Sequence, residues 1–236
     1  VLFLVGRPAA GKSEIIDYLK RTDIEERRRD FCIGDFREID DFPMLWAWFE
    51  EDAILSRRGL PRLHSSEDGY FLYRELWHVL IERLELEYWK QANDEASFGT
   101  SSTAIIEFAR GSEHGGFREA FAQISPELLE RSAVLYLDVP FEESLRKNRN
   151  RKNPEKLHSI LEHSLEDEKL RRLYGEVDWE EFSGGDPEYL HVSGLKIPYR
   201  VFENSDDVTT GRGTNPELGK RLRADLAALW DIYSRT

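Results

Sequence analysis

The residues whose types and spacing most clearly suggest chemistry form one octapeptide near the start of the chain. It reads Gly6, Arg7, Pro8, Ala9, Ala10, Gly11, Lys12 and Ser13, which fits the pattern G-x-x-x-x-G-K-[ST] known as the P-loop. The glycines let the backbone curl so that successive N–H groups point at phosphate oxygens. In such a loop the lysine reaches the β- and γ-phosphates, and the serine hydroxyl is a ligand of Mg²⁺. The octapeptide therefore predicts a site for ATP and Mg²⁺.

The segments on either side of the octapeptide supply the context that this motif requires. Residues 1–5 form a continuous apolar run, which is typical of a strand buried on both faces. Within residues 13–20, Ile15, Ile16 and Leu19 recur at helical spacing. A strand, a glycine-rich turn and a helix in this order direct the positive end of the helix dipole at a bound phosphate.

The composition limits the classes of protein to which the chain can belong. Its 236 residues are enough for one large core, and Cys32, its single cysteine, excludes an internal disulfide and fits a reducing cytoplasm. No apolar run reaches the length of a membrane span. The net charge of −13 repels phosphate polymers and argues against a nucleic-acid partner, whereas small anions remain compatible with it.

Further apolar runs alternate with helical patterns along the chain. We predict strands at residues 1–5, 31–33, 104–106, 133–137 and 199–202, with residues 190–192 as a short strand at the edge. Residues 216–233 predict a long amphipathic helix. Because strands that alternate with helices form parallel sheets covered on both faces, the pattern predicts a single α/β domain over residues 1–236.

Two long insertions interrupt this alternation. Residues 36–103 are rich in helical patterns, and residues 152–185 are strongly charged with a helical stripe of leucines. The aromatic side chains of the first insertion form either a stacking slot for a nucleobase or the core of a helical subdomain. They are Trp46, Trp48, Phe49, Tyr70, Phe71, Tyr73, Trp77 and Trp89. Residues 111–116, which include His114, are either a segment that closes over a substrate or a solvent-exposed loop.

Polar residues that follow the predicted strands are the remaining candidates, because ligands of parallel α/β sheets bind beyond the carboxyl ends of the strands. These positions hold Asp35 with Arg37, Glu107 with Arg110, and Asn204. Arginines also mark the helix after the fourth strand, where Arg146 and Arg149 share one face. Carboxylates and arginines at one edge of a sheet are the groups that phosphoryl transfer requires.

Together these landmarks resemble the nucleotide-kinase branch of the P-loop phosphotransferases, which includes adenylate, shikimate, gluconate and deoxynucleoside kinases. The resemblance rests on the octapeptide and on residues 34–37, 105–110, 137–143 and 201–204. It implies a P-loop NTPase fold whose five-stranded parallel sheet has the order 2-3-1-4-5, with helices on both faces. It also implies a helical acceptor-binding insertion after strand two and a mobile lid after strand four, which fit residues 36–103 and 152–185.

The carboxylates after strands two and three have distinct expected roles. Asp35 is the preferred catalytic carboxylate, facing the acceptor hydroxyl or a water on Mg²⁺, and Arg37 would hold an anionic group of the acceptor. A turn residue that caps the next helix is the alternative for Asp35. Glu107 could act as base or hold a Mg²⁺-bound water, with Arg110 toward the acceptor, or the two could form a buried ion pair. In deoxynucleoside kinases an arginine follows this glutamate immediately, whereas here two residues intervene.

The later candidates complete the expected site. Arg146 and Arg149 would stabilise charge on the transferred phosphoryl group, with surface salt bridges as the alternative. Asn204 would line the adenine pocket or form a turn. The sequence thus predicts an ATP- and Mg²⁺-dependent kinase whose small-molecule acceptor is a nucleoside, a nucleotide or a sugar-like compound. An NTPase, a nucleotide-binding regulator, a nucleic-acid end kinase and a non-catalytic adaptor remain as alternatives.

Overall fold

A six-stranded sheet organises the chain in the computed structural model, which describes residues 1–95, 98, 102–151, 165–210 and 215–236. The strands are β1 (Leu2–Gly6), β2 (Asp35–Asp40), β3 (Ser102–Phe108), β4 (Ala133–Asp138), β5 (Tyr189–Val192) and β6 (Leu195–Glu203). Their order in the sheet is β2-β3-β1-β4-β6-β5. Five strands are parallel, and β5 pairs antiparallel to β6 at the edge.

Helices connect the strands and cover both faces of the sheet. Within the described residues they are α1 (Lys12–Arg21), α2 (Ile24–Phe31), α3 (Phe42–Arg57), α4 (Leu76–Asp94), α5 (Gly116–Ala122), α6 (Pro126–Leu129), α7 (Phe141–Arg151), α8 (Asp167–Tyr174), α9 (Trp179–Ser183) and α10 (Pro216–Tyr233). A short 3₁₀ turn spans Ser112–His114. Among these helices, none has the length and apolar character that a membrane crossing would need.

The predicted sheet agrees with the structure in order and differs in strand number. The parallel strands follow the expected order 2-3-1-4-5, and residues 190–192 lie in the edge strand β5. The expectation of a purely parallel five-stranded sheet is wrong, because β5 and β6 form a hairpin that adds a sixth, antiparallel strand. The predicted amphipathic helix at residues 216–233 is confirmed as α10.

The second strand lies four residues later than predicted. Phe31 is the last residue of α2, Cys32 ends that helix in the left-handed conformation (φ 57°), and β2 begins at Asp35. Phe31 and Ile33 are buried, but three apolar residues fit the end of a buried helix as well as a strand. The observed strand β2 shows little alternation of buried and exposed side chains, since only Ile39 of its six residues is fully buried.

The core consists of two apolar layers, one on each face of the sheet, because successive side chains of a strand point to opposite faces. In β1, Phe3 and Val5 pack with α4, α5 and α9, whereas Leu2 and Leu4 pack with α1, α2 and α10. Both layers exclude water from the strands, so the polar groups of the parallel strands are accessible mainly at their ends.

Helices stand between the strands in both regions of the predicted insertions, although residues 36–40 of the first belong to β2. Helices α3 and α4 separate β2 from β3, and the loop between them is held by the buried Asp52, which accepts hydrogen bonds from the backbone N–H groups of Leu63, His64 and Ser65. The second insertion includes α8 and α9. Residues 152–164 of the predicted lid lie outside the described residues.

Candidate functional site

The carboxyl ends of the parallel strands bring the octapeptide and two carboxylates to one edge of the sheet. The octapeptide begins at Gly6, the last residue of β1, and runs into the first turn of α1 with Lys12 and Ser13. In the register of the sheet, Asp40 of β2 lies beside Glu107 of β3, which in turn lies beside Leu4 of β1. The sheet therefore places both carboxylates next to the glycine-rich loop.

Close packing around the octapeptide explains its glycines. Gly11 has a φ of 110°, and a Cβ atom there would lie 2.5 Å from Oγ1 of Thr209. At Gly6 a Cβ atom would lie 2.7 Å from the carbonyl oxygen of Leu137. Side chains at either position would force the loop away from its neighbours, so glycine is required at both.

Side chains of neighbouring elements donate hydrogen bonds to the carbonyl groups of this loop. Ser144 of α7 donates its hydroxyl to the carbonyl of Pro8 over 2.7 Å, and Asn204 donates its amide to the carbonyl of Ala10 over 2.7 Å. Arg7 reaches across the site and donates to the carbonyl of Val139 over 3.0 Å. The loop is thus fixed through its carbonyls. No described side chain caps the N-terminus of α1, whose first N–H groups have no partner within the helix.

Lys12 lies inside this edge and not in open solvent. Its exposed fraction is 9%, and Nζ donates to the carbonyl oxygen of Arg7 over 3.2 Å. Burial raises the pKa of both Asp40 and Glu107, and the positive charge of Lys12 opposes that rise without cancelling it. One ammonium group therefore lies near two carboxyl groups. Its single positive charge does not balance the two negative charges that they would carry when ionised.

The carboxyl groups of Asp40 and Glu107 lie within hydrogen-bond reach of each other. Burial, followed by the charges of Glu107 and Asp41, raises the pKa of Asp40 to about 9. Burial also raises the pKa of Glu107, which is only 6% exposed. Oε2 of Glu107 has no hydrogen-bond partner among the described residues. Two carboxyl groups with strongly raised pKa values beside a glycine-rich loop are typical of a functional site.

Arg110 forms a buried ion pair with Asp41 and not with Glu107. Its guanidinium is 2% exposed and donates to Asp41 over 2.6 Å and to the carbonyl oxygen of Trp77 over 3.2 Å. The same guanidinium lies over the rings of Trp77 and Phe108. The expected buried partner was Glu107, but Asp41 takes that position. Arg110 thereby joins β3 to the start of α3 and the start of α4.

Asp35 and Arg37 lie at the wrong end of the sheet for the roles predicted for them. Both occupy the amino-terminal half of β2 and are exposed, and Asp35 pairs in register with Ser102 at the start of β3. Arg37 is ion-paired with Glu95 and lies over the ring of Phe98. The misplaced strand caused this error: with β2 at Asp35–Asp40, the residue that ends the strand is Asp40.

The predicted arginines of α7 are exposed and paired with acids. Arg146 contacts Glu143 and Asp207, each at 2.6 Å, and Arg149 contacts Asp167 at 2.5 Å. Their helix is nevertheless joined to the octapeptide through Ser144. The side chain of Arg151 lies outside the described part of the chain.

Asn204 is fully buried behind the loop. It donates to Thr209 over 2.9 Å as well as to Ala10, and Lys147 of α7 donates to the same Thr209 hydroxyl over 3.1 Å. This network was not foreseen from the sequence, because residues 205–210 read only as a polar segment. Its location indicates that Asn204 positions the octapeptide from behind.

A cavity of about 350 Å³ opens beside the carboxylates, between α3, the start of α4, the 3₁₀ turn and α8. Aromatic rings dominate its wall, and four of them belong to the predicted aromatic set: Phe49, Tyr70, Phe71 and Trp77. Phe42, at the cavity wall, donates its backbone N–H to Asp40 over 2.9 Å. On the side of the loop, Arg7 donates to the carbonyl of Tyr174, another lining residue, over 3.3 Å. Two residues of the cavity wall are thus hydrogen-bonded to Asp40 and to Arg7 of the octapeptide.

Asp40 and Asp41 are the functional candidates that sequence reasoning missed. The signal was present, since two acids follow Ile39, the buried apolar residue of the strand. The rule that polar residues after a strand mark a site would have selected them had the strand been placed correctly. His114 was considered only as part of a loop, yet it is 2% exposed and lines the cavity.

Comparisons with known proteins give no family for the chain. No family model and no curated protein matches it. Among solved structures, a sugar kinase from Janibacter sp. HTCC2649 aligns over 98% of this chain and 94% of its own length, at 14% identity and a TM-score of 0.42. TT1252 from Thermus thermophilus aligns over 97% of this chain and 96% of its own length, at 16% identity and a TM-score of 0.44. Both TM-scores are below 0.5, so neither likeness bears on the function.

Proposed function

We propose that the chain is an ATP- and Mg²⁺-dependent kinase that transfers a γ-phosphoryl group to a small-molecule acceptor. The observation that carries this proposal is the meeting of three features at one edge of the sheet: the octapeptide with Lys12, the carboxylate pair Asp40 and Glu107, and the aromatic cavity beside them. A nucleotide, a metal ion and an acceptor need these three places, and they need them side by side.

The octapeptide suits a polyphosphate. Its carbonyl groups at Pro8 and Ala10 are engaged by Ser144 and Asn204, and the first N–H groups of α1 lie beside Lys12. Backbone N–H groups and the positive end of a helix dipole stabilise phosphate oxygens, and an ammonium group adds a full charge. ATP would therefore bind with its phosphates on residues 6–13.

The donor set beside the octapeptide suits Mg²⁺, which prefers oxygen ligands. The hydroxyl of Ser13 and the carboxyl groups of Asp40 and Glu107 supply oxygens, and Oε2 of Glu107 is a buried atom without a partner among the described residues. These residues would hold the ion directly or through water. When bound, Mg²⁺ would neutralise phosphate charge and favour the ionised carboxylates.

Asp40 replaces Asp35 as the proposed catalytic carboxylate. Phe42 of the cavity wall donates its backbone N–H to Asp40, so an acceptor in the cavity would direct its hydroxyl toward this carboxyl group. Asp40 would orient that hydroxyl and accept its proton as the hydroxyl oxygen bonds to the γ-phosphorus and the bond to the β-phosphate oxygen breaks, releasing ADP. Lys12 would stabilise the charge that moves onto ADP.

The competing function is an NTPase or a nucleotide-binding regulator with no small-molecule acceptor. Such a protein needs no second pocket, whereas this chain has a cavity of about 350 Å³ whose wall is hydrogen-bonded to Asp40 and to Arg7. Cavities of about 300–1,000 Å³ are typical of small-molecule sites. The cavity therefore favours the kinase.

Release of ADP from Mg²⁺-ATP, measured with and without a panel of acceptors, tests this proposal. The panel contains nucleosides, nucleoside monophosphates, sugars, sugar acids and a short oligonucleotide. We expect release to depend on one acceptor class. Equal release without acceptor would identify an NTPase, and ATP binding without release under any condition would favour a regulator.

Lys12→Ala is the site variant for this experiment, and Lys20→Ala on the same helix is its matched control. Lys20 is exposed and paired with Glu38. We expect Lys12→Ala to lose at least about 100-fold in turnover, because the loss of a charged transition-state donor has costs of this order. Lys20→Ala should stay within about twofold, as is usual for exposed ion pairs. Turnover that survives Lys12→Ala would refute the site.

A further inference from the structure

The charges at the cavity are balanced in pairs. Arg74 contacts Glu119 at 2.7 Å, and Arg172 contacts Glu113 at 2.9 Å. These arginines are the cationic side chains among the described residues that line the cavity, and Glu113 lines it as well. An anionic acceptor would have to compete with these carboxylates, so the wall favours an uncharged ligand.

Flat aromatic faces make up most of the remaining wall. Phe49 and Phe71 stack with their ring centres 5.6 Å apart, and Phe71 meets Trp77 edge-on at 4.7 Å. Tyr70 lies beneath the guanidinium of Arg172 at 4.2 Å. Such faces bind planar rings through stacking and apolar contact. Sugars and sugar acids, which lack a planar ring, would use this surface poorly.

His114 adds a specific polar group to this wall. Its ring is 2% exposed and stacks on Trp77 with the ring centres 3.8 Å apart. Nδ1 accepts the backbone N–H of Gly111 over 3.4 Å, so the proton of the neutral ring lies on Nε2. Nε2 has no hydrogen-bond partner among the described residues. A buried N–H without a partner is costly. Nε2 is itself out of contact with solvent, so an acceptor atom of a ligand reaches it only when the ring or its cover moves.

His114 remains neutral across the physiological range. Burial, together with the charges of Arg110 and Arg74, lowers its pKa to about 3. The ring therefore offers a hydrogen bond without adding a positive charge to the cavity, which preserves the balance described above.

We infer that the cavity binds an uncharged heteroaromatic alcohol of the nucleoside class, with its ring against the aromatic wall and an acceptor atom facing Nε2 of His114. The assignment of this ligand as the phosphoryl acceptor rests on the kinase proposed above. Its hydroxyl would lie toward Phe42 and Asp40, which are joined by a 2.9 Å hydrogen bond. The inference chooses the nucleoside among the acceptor classes that the sequence left open.

Equilibrium binding in the absence of ATP tests the ligand class apart from the kinase. Titrations with adenosine, guanosine, cytidine and thymidine are compared with their 5′-monophosphates, with ribose and with gluconate, following tryptophan fluorescence. We expect at least one nucleoside to bind at least about tenfold more tightly than its monophosphate, as unpaired negative charge is disfavoured at a balanced wall. Tighter binding of the monophosphates, ribose or gluconate would overturn the inference.

The two proposals fail in different ways. If a nucleoside binds but is not phosphorylated by Mg²⁺-ATP, the kinase is refuted and the ligand class of the cavity is supported. If a sugar or sugar acid is phosphorylated and nucleosides neither bind nor react, the kinase is supported and the nucleoside inference is refuted.

His114→Phe removes the N–H donor and keeps a ring against Trp77. We expect nucleoside binding about tenfold weaker, the loss typical of one buried hydrogen bond. His191→Phe is the matched control, because His191 is exposed on the edge strand β5. Equal binding by His114→Phe and wild type would overturn the role of His114.

Glu113→Gln tests the charge balance without a buried substitution. It leaves Arg172 without its acidic partner, so we expect monophosphate binding about threefold tighter, a size set by the screening of exposed pairs. An unchanged preference between nucleoside and monophosphate would overturn the argument from charge balance.

Discussion

Asp40 and Glu107 place two carboxyl groups in a largely buried edge of the sheet with one ammonium group, that of Lys12, beside them. In the absence of a bound cation this arrangement opposes ionisation of the pair. Groups with strongly shifted pKa values next to a cavity are typical of functional sites. The same arrangement costs stability at neutral pH, because the folded state must keep a proton on Asp40 that the unfolded state releases.

Asp40→Asn should therefore stabilise the protein at high pH. The pKa of Asp40 in the folded chain, about 9, lies above its ordinary value of 3.8. The folded state binds this proton more tightly than the unfolded state, so stability contributed by the group falls as pH rises between these values. With asparagine the free energy of unfolding should rise by about 1–2 kcal/mol at pH 8 and depend less on pH.

Urea denaturation from pH 5 to pH 9, without nucleotide or Mg²⁺, measures this effect. Asp35→Asn is the matched control, since Asp35 is exposed on the same strand and should leave the profile unchanged. An Asp40→Asn protein that is less stable than wild type at every pH, with an unaltered pH dependence, would contradict the strained carboxylate pair.

At the scale of elements, the octapeptide depends on the segment after β6 and on α7. Asn204 joins the carbonyl of Ala10 to Thr209, and Lys147 joins Thr209 to Asp207. The loop is therefore held by chain more than 190 residues away in sequence. This explains why a short glycine-rich segment can keep one conformation.

Asn204→Ala should act through loop position and not through base recognition. We expect a loss of about 2–3 kcal/mol in stability, since two buried hydrogen bonds disappear, and ATP binding about tenfold weaker. The ratio of ATP to GTP affinity should not change. Ser205→Ala, at the exposed neighbouring position, is the control. An altered ratio would show instead that Asn204 contacts the base, as the sequence first suggested.

Long, strongly periodic elements could be predicted from the sequence, whereas short ones could not. The buried strands β1 and β4 and the amphipathic helix α10 were predicted close to their observed bounds. Strand β2 failed because its residues alternate poorly and a buried apolar triplet stands just before it. Tertiary pairing with β3 makes it a strand, and pairing is invisible in local propensity.

For the molecule as a whole, one misplaced strand put the predicted catalytic carboxylate, Asp35, at the opposite end of the sheet from the octapeptide. The octapeptide and Glu107 needed only the local order of strand, turn and polar residue, so the sequence was sufficient for their placement. The ion pair of Arg110 with Asp41, the network behind the loop and the cavity depend on side-chain directions across distant elements. Those directions follow from packing and not from periodicity.

The net charge of −13 has a related consequence at this scale. The arginines predicted for an anionic acceptor or for the transferred phosphoryl group are paired with acids: Arg37 with Glu95, Arg146 with Glu143, and Arg149 with Asp167. A chain with excess acid neutralises its own cations, so arginine content alone is a weak argument for an anionic substrate.

We would first measure the steady-state rate of phosphoryl transfer by Asp40→Asn and Asp35→Asn, side by side with the best acceptor. This comparison tests whether Asp40, at the carboxyl end of β2, acts in phosphoryl transfer. These residues lie at opposite ends of one strand, so the pair separates a site at the carboxyl edge from any general effect of removing an acid from β2. We predict that Asp40→Asn lowers kcat by about 100-fold or more, as for loss of a general base, and that Asp35→Asn stays within about twofold. Loss of activity in Asp35→Asn with full activity in Asp40→Asn would contradict it.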